Sequence, residues 1–507
     1  MQADVRENKT RNPRLNPLRK LFKQTFIYGV ATVLPRVISF FLLPLYTGVF
    51  QNAAGYGQYT NIYAWIAIFN VILAYGMETT FFRFYNKESE KQNVVATALV
   101  SLLVSSLGFL VLSWLTGDSL AAFTNINPDF IQFTAYILVL DALVIVPFAF
   151  LRATEKPMTY GVLKVLNVVV NVGLNLFFLL LLPKLATGSE GNNFWSSMYK
   201  EGWEIQYIFI SNIIASAFTF LVLLPYYFKV KWTFDITLWR KMMKYAMPVL
   251  VAGIAFTINE VFDKILLTEL LPPDVAEEEV GKYAACYKLA LFMTLFGTAF
   301  RMGVEPFFFS HAETENPQKT YAQITNYFVI LGSLILLTVV VFAEVLASLL
   351  IRNPVYWEAL PVVPIILLGS FCLGIYHNLS VWYKITDKTR YGAFISLIGA
   401  LVTLAINFIF IEKYGYMASA WATLAAYATM MTMSYYLGKK HYPVPYNLRK
   451  IAFYSGLALL FSGLSFYVFN RNLIAGGILL LLFLGMLYKL EGETLTKIFR
   501  PREGKSN

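Results

Sequence analysis

Long apolar runs alternate with short polar connectors along most of the chain. The hydrocarbon core of a bilayer is about 30 Å thick, so a helix that crosses it needs about 20 mostly apolar residues. Fourteen runs meet this length, and they predict an all-α integral membrane protein with 14 transmembrane helices. The runs are 24–49, 60–82, 94–115, 128–151, 162–183, 206–228, 242–270, 282–304, 323–350, 358–378, 392–412, 417–438, 450–469 and 472–489.

The stretch 251–271, nearly all of which belongs to the seventh run, carries polar residues well inside it. Asn259, Glu260, Asp263 and Lys264 fall within one arc of a helix at about 100° per residue. Glu260 and Lys264 have the i, i+4 spacing that predicts an intrahelical ion pair. Charges inside a membrane are costly unless they face protein or water. The cluster therefore predicts a polar pathway beside this helix, and the alternative is a buried ion-pair cluster that only joins neighbouring helices.

The composition agrees with a membrane protein and excludes several other classes. Of 507 residues, 57% are hydrophobic and 14% are charged, whereas soluble domains have about 25% charged residues. Cys286 and Cys372 lie in apolar runs, so neither a disulfide framework nor a metal site is expected. No phosphate-binding loop of the GxxxxGK type is present, which argues against an ATP-driven machine, and no cofactor is expected beyond a coupling proton or sodium ion.

The charge distribution predicts the orientation in the membrane. Most of the 41 Lys and Arg residues lie in connectors on the side of the N-terminus, so this side is expected to be cytoplasmic. An even number of helices then returns the C-terminus to the same side. The basic residues of the two termini suit anionic membrane lipids, and nucleic acid is not an expected partner.

Four short motifs recur after an interval of six predicted helices, in the same order. The pairs are Gly57-Gln-Tyr59 and Gly281-Lys-Tyr283, Glu78–Phe82 and Glu305–Phe308, Arg152–Gly161 and Lys384–Gly392, and Asn175–Phe178 and Asn407–Phe410. An even repeat unit predicts two parallel six-helix lobes with a substrate path between them. The predicted domains are the basic N-terminus 1–23, the N-lobe 24–228, a cytoplasmic linker 229–241, the C-lobe 242–438, two further helices at 449–489 and a cytoplasmic tail 490–507.

Other polar residues in the predicted helices are candidates for the same path. Arg36 lies near the middle of helix 1, where it either faces a cavity or pairs with an acid such as Asp141 in helix 4. Lys164 begins a stripe on one face of helix 5 that continues through three asparagines. This stripe predicts either a wetted wall or interhelical hydrogen bonds. Lys288 in helix 8 either faces the path or reaches the membrane interface. The three asparagines are Asn167, Asn171 and Asn175.

Several of these segments together resemble a known family. The run Leu34–Thr47, then Gly55–Tyr59, then Tyr75–Phe84 is similar to bacterial polysaccharide flippases, the Wzx-type exporters of the multidrug/oligosaccharidyl-lipid/polysaccharide superfamily. That family commonly has an Asp-Arg pair in helix 7, and Asp263-Lys264 stands at this place here. A second departure is Gly48, where relatives often have a basic residue. Lysine cannot bind a phosphate through two parallel hydrogen bonds as arginine can.

The resemblance implies a transporter, not an enzyme, that flips an undecaprenyl-pyrophosphate-linked oligosaccharide across the bacterial cytoplasmic membrane. The lipid-linked oligosaccharide is then the main partner, with membrane lipids and polysaccharide assembly proteins as further ones. The expected cationic substrate site is Arg36, Lys164, Lys264 and Lys288; the polar wall is Asn167, Asn171, Asn175 and Asn259; and the ion-coupling acids are Glu260, Asp263 and Asp141. A lipid II flippase and a multidrug or ion antiporter of the same superfamily remain alternatives. A membrane polysaccharide polymerase or ligase is a further alternative, disfavoured because no large outer loop rich in Arg and His is present.

Overall fold

The computed structural model describes residues 17–187, 194–310 and 316–499, and these residues form helices joined by short connectors. Most of the predicted N-terminal segment 1–23 and the end of the predicted tail 490–507 lie outside the described residues. The helices are α1 (Pro17–Phe40 and Leu42–Val49), α2 (Ala53–Ala74 and Met77–Lys87), α3 (Lys91–Leu115), α4 (Pro128–Leu143 and Ile145–Ala153), α5 (Pro157–Leu176, Phe177–Leu181 and Leu182–Thr187), α6 (Glu204–Phe228), α7 (Ile236–Leu270), α8 (Pro273–Tyr287, Lys288–Ala290 and Leu291–Ser310), α9 (Pro317–Val341), α10 (Val362–Leu379 and Val381–Ile385), α11 (Arg390–Tyr414), α12 (Tyr416–His441), α13 (Leu448–Gly463 and Leu464–Val468) and α14 (Leu473–Phe499).

Four shorter helices lie in the connectors between these long ones. They are Gly117–Thr124, Phe194–Met198, Ala343–Leu350 and Pro354–Ala359. The second of them falls in the predicted 184–205 loop, the longest connector expected from the sequence, and residues 188–193 of that loop are not described.

Twelve helices in the described part of the chain are long and apolar enough to cross a membrane. The protein is therefore a multi-pass, all-helical membrane protein, as expected. The predicted number of 14 spans is not confirmed, because α7 and α12 are not among these twelve, although both are helical over the predicted segments 242–270 and 417–438.

The helix ends follow from local hydrogen bonding more than from hydropathy. The Asp235 carboxylate accepts hydrogen bonds from the backbone N–H groups of Thr237 and Leu238 at 2.8 and 3.0 Å, so α7 begins six residues before its apolar run. The start of α8 is at Pro273, not at the predicted residue 282. A proline at the first helical position followed by acidic residues favours a helix start there.

The two halves of the chain repeat the same helix packing. In the first half α1 packs on α5, α3 on α4, and α6 on both α4 and α5; in the second half α7 packs on α11, α9 on α10, and α12 on both α10 and α11. The last two helices, α13 and α14, both pack against α9. The packing therefore has the periodicity of six helices that the sequence repeats predict.

Side chains at equivalent repeat positions also make equivalent bonds. Asn175 and Asn407 are both fully buried, and each donates from Nδ2 to the backbone oxygen four residues earlier at 2.8 Å. The Asn175 Oδ1 accepts from the Tyr46 hydroxyl at 3.0 Å, and the Asn407 Oδ1 accepts from the Ser419 hydroxyl at 2.7 Å. A buried amide satisfied in this way fixes one helix against another.

The two halves meet most closely where the N-terminal ends of α2 and α8 cross. A Cβ atom on Gly57 would lie 1.7 Å from the Glu277 backbone oxygen, and one on Gly281 would lie 1.9 Å from the Ala53 backbone oxygen. Only glycine fits at such a backbone approach. Gly57 and Gly281 are repeat partners, so the repeat places a matched pair of glycines at this α2–α8 crossing.

Candidate functional site

A cavity of about 280 Å³ lies between α1, α2, α5 and α6 of the first half and α8 of the second. Four tyrosines contribute rings and hydroxyl groups to one wall: Tyr46, Tyr56, Tyr59 and Tyr63. Their rings pack against one another, with centroids 5.1 Å apart for Tyr46 and Tyr59 and 4.6 Å apart for Tyr59 and Tyr63. The result is a continuous aromatic surface with hydroxyl groups that both donate and accept hydrogen bonds.

Asparagines form the facing wall of this cavity. Asn167 and Asn171 of the predicted α5 stripe line it, together with Asn212 of α6. Asn167 also donates to the Ala215 backbone oxygen at 3.0 Å and Asn212 donates to the Tyr63 hydroxyl at 2.6 Å, so both are held in place. Asn175, at the end of the same stripe, is buried behind Tyr46 and does not line the cavity.

Lys288 supplies the positive charge of the cavity. It is the only charged side chain among the described residues that line this space, and it comes from the opposite half of the chain. Its side chain is exposed to the cavity, and no carboxylate of the described residues lies within ion-pairing distance of it. A short 3-10 turn at Lys288–Ala290 interrupts α8 at this point and directs the helix past the cavity.

Arg36 lies about one helical turn before the cavity on α1. Ser39 and Phe40 line the cavity and follow Arg36 by three and four residues, so all three share one helix face. The Arg36 side chain is exposed and has no ion-pair partner among the described residues. The alternative pairing with Asp141 is therefore not present in this structure.

Asp141 is linked to the cavity through other polar groups. Its carboxylate accepts a hydrogen bond from the Ser216 hydroxyl at 2.9 Å, and Ser216 lies 3.4 Å from the Asn212 amide oxygen. Lys164 is the nearby cation that interacts electrostatically with Asp141, and its Nζ also lies 4.3 Å from the centre of the Phe148 ring. Asp141 and Lys164 are thus both partly buried near the cavity, but they form no direct ion pair with each other.

The polar face of α7 forms a separate buried cluster. The Lys264 Nζ lies 2.7 and 2.9 Å from the two carboxylate oxygens of Asp263, and both residues are buried, with exposed fractions of 8% and 2%. The predicted ion pair between Glu260 and Lys264 is absent. Instead, the Glu260 carboxylate accepts a hydrogen bond from the Tyr427 hydroxyl at 2.8 Å, and Lys264 reaches only the Glu260 backbone oxygen, at 3.3 Å.

Asn259 completes this cluster and ties α7 to α11. Its Nδ2 donates to the Ser396 backbone oxygen at 3.1 Å, and its Oδ1 accepts from the Thr403 hydroxyl at 3.0 Å. Asn259 is buried and does not reach the cavity. Of the predicted polar wall, Asn167 and Asn171 therefore face the cavity, whereas Asn175 and Asn259 join helices.

Sequence reasoning did not find the four tyrosines or Asn212. Aromatic residues in a membrane span read as apolar in a hydropathy profile, so their hydroxyl groups give no separate signal. Tyr56, Tyr59 and Tyr63 share one face of α2, whereas Tyr46 joins them only after α1 and α2 pack. No group of three or more metal-ligating side chains occurs in the described residues.

The sequence matches the models of two protein families. The family described as "Polysaccharide biosynthesis protein" matches residues 21–311, more than half of the chain. The chain belongs to this family. A second family, described as "MatE", matches residues 248–409. The protein is therefore a membrane transporter of the MOP superfamily, and these families are not enzymes. Among curated proteins, none matches the sequence at a significant level.

Solved structures of the same superfamily share the fold. The lipid II flippase MurJ in an inward closed conformation has a TM-score of 0.70 at 14% identity, over 92% of this chain and 99% of that one. An inward-facing multidrug resistance MATE transporter has a TM-score of 0.60 at 12% identity, over 82% of this chain and 94% of that one. A MOP transporter from Pyrococcus furiosus, described as having a binding pocket of reversed polarity, has a TM-score of 0.55 at 12% identity, over 85% and 95%.

Proposed function

We propose that this family member flips an undecaprenyl-pyrophosphate-linked oligosaccharide from the cytoplasmic to the outer leaflet of the bacterial cytoplasmic membrane by alternating access. The main support is the cavity, which combines uncharged hydrogen-bonding groups with one unpaired lysine. Tyrosine hydroxyls and asparagine amides both donate and accept, as sugar hydroxyls require. An unpaired ammonium group suits a phosphate, and the family's role in polysaccharide biosynthesis points to the same class of substrate.

In this proposal the pyrophosphate binds Lys288 and Arg36, and the first sugars lie against the tyrosines and asparagines. The cavity volume of about 280 Å³ is near the lower end for small-molecule sites, about 300–1,000 Å³, so it holds the head of the substrate and leaves the lipid tail outside. Lys264 is paired with Asp263, and the Lys164 Nζ lies over the Phe148 ring. Neither lysine lines the cavity, and in this proposal the direct phosphate contacts come from the two unpaired cations.

The proposed transport unit has the two lobes expected from the sequence, 24–228 and 242–438. The repeated packing of α1–α6 and α7–α12 supports this division. We further propose that α7 and α12 cross the membrane with the 12 candidate spans, which gives 14 spans with both termini in the cytoplasm. A polar helix is stable in a membrane when its polar face is buried against protein, and Asn259, Asp263 and Lys264 of α7 are buried in this way.

Transport of lipid II is the main alternative, since the fold is similar to that of MurJ over nearly the whole chain. Multidrug export is a second alternative, suggested by the MatE match. A cationic multidrug substrate would be repelled by Lys288, whereas both lipid-linked substrates carry phosphate.

Cells depleted of the protein should accumulate a lipid-linked oligosaccharide on the cytoplasmic leaflet. Accumulation of lipid II, or unchanged lipids together with increased sensitivity to cationic drugs, would favour the corresponding alternative.

The proposed topology predicts which residues are accessible from outside the cell. Cysteines introduced at the exposed positions Ser197 and Asp274 should react with a membrane-impermeant maleimide in intact cells, and a cysteine at Thr233 should react only after permeabilisation. The reason is the excess of basic residues on the Thr233 side. Both native cysteines are buried and give a low background. Labelling of Thr233→Cys in intact cells would contradict the proposed orientation.

The acids expected to couple transport to an ion gradient differ in their surroundings. Asp263 is neutralised by Lys264, whereas Glu260 is half-buried, without a cation in contact, and bonded to Tyr427. We propose that Glu260 and Asp141 carry the coupling protons.

In vesicles, Glu260→Gln should abolish the stimulation of transport by a pH gradient, although the glutamine still accepts the hydrogen bond from the Tyr427 hydroxyl. Glu412→Gln, at an exposed carboxylate on α11, is the control and should respond like the wild type. An undiminished response in both Glu260→Gln and Asp141→Asn would assign these acids to structure.

A further inference from the structure

The surroundings of the Lys264 ammonium group resemble a binding site for a monovalent cation. The Nζ contacts both oxygens of the Asp263 carboxylate, at 2.7 and 2.9 Å, and the Glu260 backbone oxygen, at 3.3 Å. Two aromatic rings complete the shell, since the Nζ lies 4.1 Å from the centre of the Tyr287 ring and 5.4 Å from that of Tyr283. Carboxylate and carbonyl oxygens with aromatic faces are groups that bind cations in proteins.

The Asp263 carboxylate has no capacity left for a second cation. Its Oδ1 accepts from the Lys264 backbone N–H at 3.0 Å as well as from the Nζ, and its Oδ2 accepts from the Tyr283 hydroxyl at 2.7 Å as well as from the Nζ. Each oxygen has two acceptor positions, so all four are in use. The residue is 2% exposed, and neither water nor a free ion reaches it while Lys264 remains in place.

Helix geometry alone does not force this arrangement. Side chains at adjacent helix positions point about 100° apart, and the usual partner of Lys264 is the residue four positions earlier, Glu260. Here the Glu260 carboxylate is bonded to Tyr427, and the lysine side chain folds back onto its own neighbour. The carboxylate of Asp263, the Glu260 carbonyl and the two tyrosines of α8 thus form a pocket whose occupant is the ammonium group.

We propose that this pocket is a monovalent-cation site that the chain fills with its own lysine. The Lys264 ammonium takes the place of a sodium or potassium ion, which keeps the carboxylate charged and the α7–α8 contact closed without any metal ion. For the transport cycle proposed above, Asp263 is then insensitive to sodium and potassium gradients, and the coupling ion acts elsewhere. The pocket itself is independent of which lipid is transported.

Shortening the lysine should open the pocket to a free ion, and this can be measured without any substrate. Purified wild type, Lys264→Ala and the double variant Asp263→Asn/Lys264→Ala are heated in detergent with sodium chloride, potassium chloride or choline chloride at equal ionic strength. The Tm of Lys264→Ala should be higher by about 2 °C or more with sodium or potassium than with choline, because the ion binds only the folded state. The wild type and the double variant should show no difference among the three salts.

Three outcomes would overturn the proposal. These are a Tm of Lys264→Ala that is equal in all three salts, a wild-type Tm that responds as strongly as that of the variant, and a double variant that still responds. If Lys264→Ala does not fold in choline chloride, its recovery in sodium or potassium chloride is itself the expected result. Lys264→Ser, whose short side chain leaves the pocket as open and adds a hydroxyl donor, then gives the same comparison in folded protein. Failure of the flippase assignment would leave these melting results unchanged, so the two proposals can be told apart.

Discussion

Replacing Lys288 by glutamate should abolish the export of lipid-linked oligosaccharide. The substitution puts a negative charge where the proposed substrate carries its pyrophosphate, in a cavity with no other charged group among its described lining residues. Neutral Lys288→Ala loses only the attraction. A hydrogen bond to a charged group contributes about 1.5–3 kcal/mol, so the alanine variant should lose roughly ten- to a hundredfold in transport efficiency.

The controls for Lys288 separate charge from folding. Lys288→Arg retains the positive charge and should keep most of the activity. Lys413→Glu makes the same charge reversal at an exposed position at the end of α11 and should leave transport unchanged. Each variant is measured by the amount of surface oligosaccharide per folded protein in the membrane. Full export by Lys288→Glu at normal protein levels would remove Lys288 from the substrate site.

The second large effect is expected at the α2–α8 crossing. Alanine at Gly57 would place its Cβ 1.7 Å from a backbone oxygen of α8. Alanine at Gly281 would place its Cβ 1.9 Å from a backbone oxygen of α2. A backbone cannot move aside as a flexible side chain can, so the two helices must separate. Such overpacking costs about 1–3 kcal/mol, and each variant should melt at least about 3 °C below the wild type and lose most of its export.

A matched glycine provides the control for this prediction. Gly108 lies inside α3, and a Cβ on it would meet no atom within 4 Å. Gly108→Ala should therefore be neutral or slightly stabilising, since alanine favours the helix by up to about 1 kcal/mol. Melting temperatures and export of the three alanine variants are compared with the wild type. Equal behaviour of Gly57→Ala and Gly108→Ala would show that the close crossing is not required.

The hydropathy pattern predicts the long helices because a membrane span requires a long apolar run, and all fourteen predicted runs fall on helices. It does not predict where they begin. The first turns of α7 and α8 are polar, and their starts depend on Asp235 and Pro273. The sequence repeat predicts the packing of the two halves, since α1 packs on α5 as α7 packs on α11. At one repeat position, Asn175 and Asn407 also donate the same hydrogen bond to the backbone four residues earlier.

The site could be predicted only in part. The asparagine stripe of α5 and the cation Lys288 are visible in sequence because polar residues in a span stand out. The ion pair of Lys264 with Asp263 was not predictable from helix spacing, since it depends on the tyrosines of α8 and on Tyr427, which takes Glu260 away from the lysine. The tyrosine wall also requires the packing of separate helices.

Transfer of the proposed substrate in a purified system tests the central claim most directly. The protein is reconstituted into vesicles that contain an undecaprenyl-pyrophosphate oligosaccharide with a fluorescent label on the sugar, and a membrane-impermeant quencher is added outside. The quencher removes the fluorescence of the outer leaflet in all vesicles. Vesicles with wild-type protein should also lose the fluorescence of the inner leaflet, because the labelled lipid is moved outward. Vesicles with Lys288→Glu should retain the inner-leaflet fluorescence, like protein-free vesicles. Retention by the wild type, or equal loss with Lys288→Glu, would contradict a flippase that binds its substrate in this cavity.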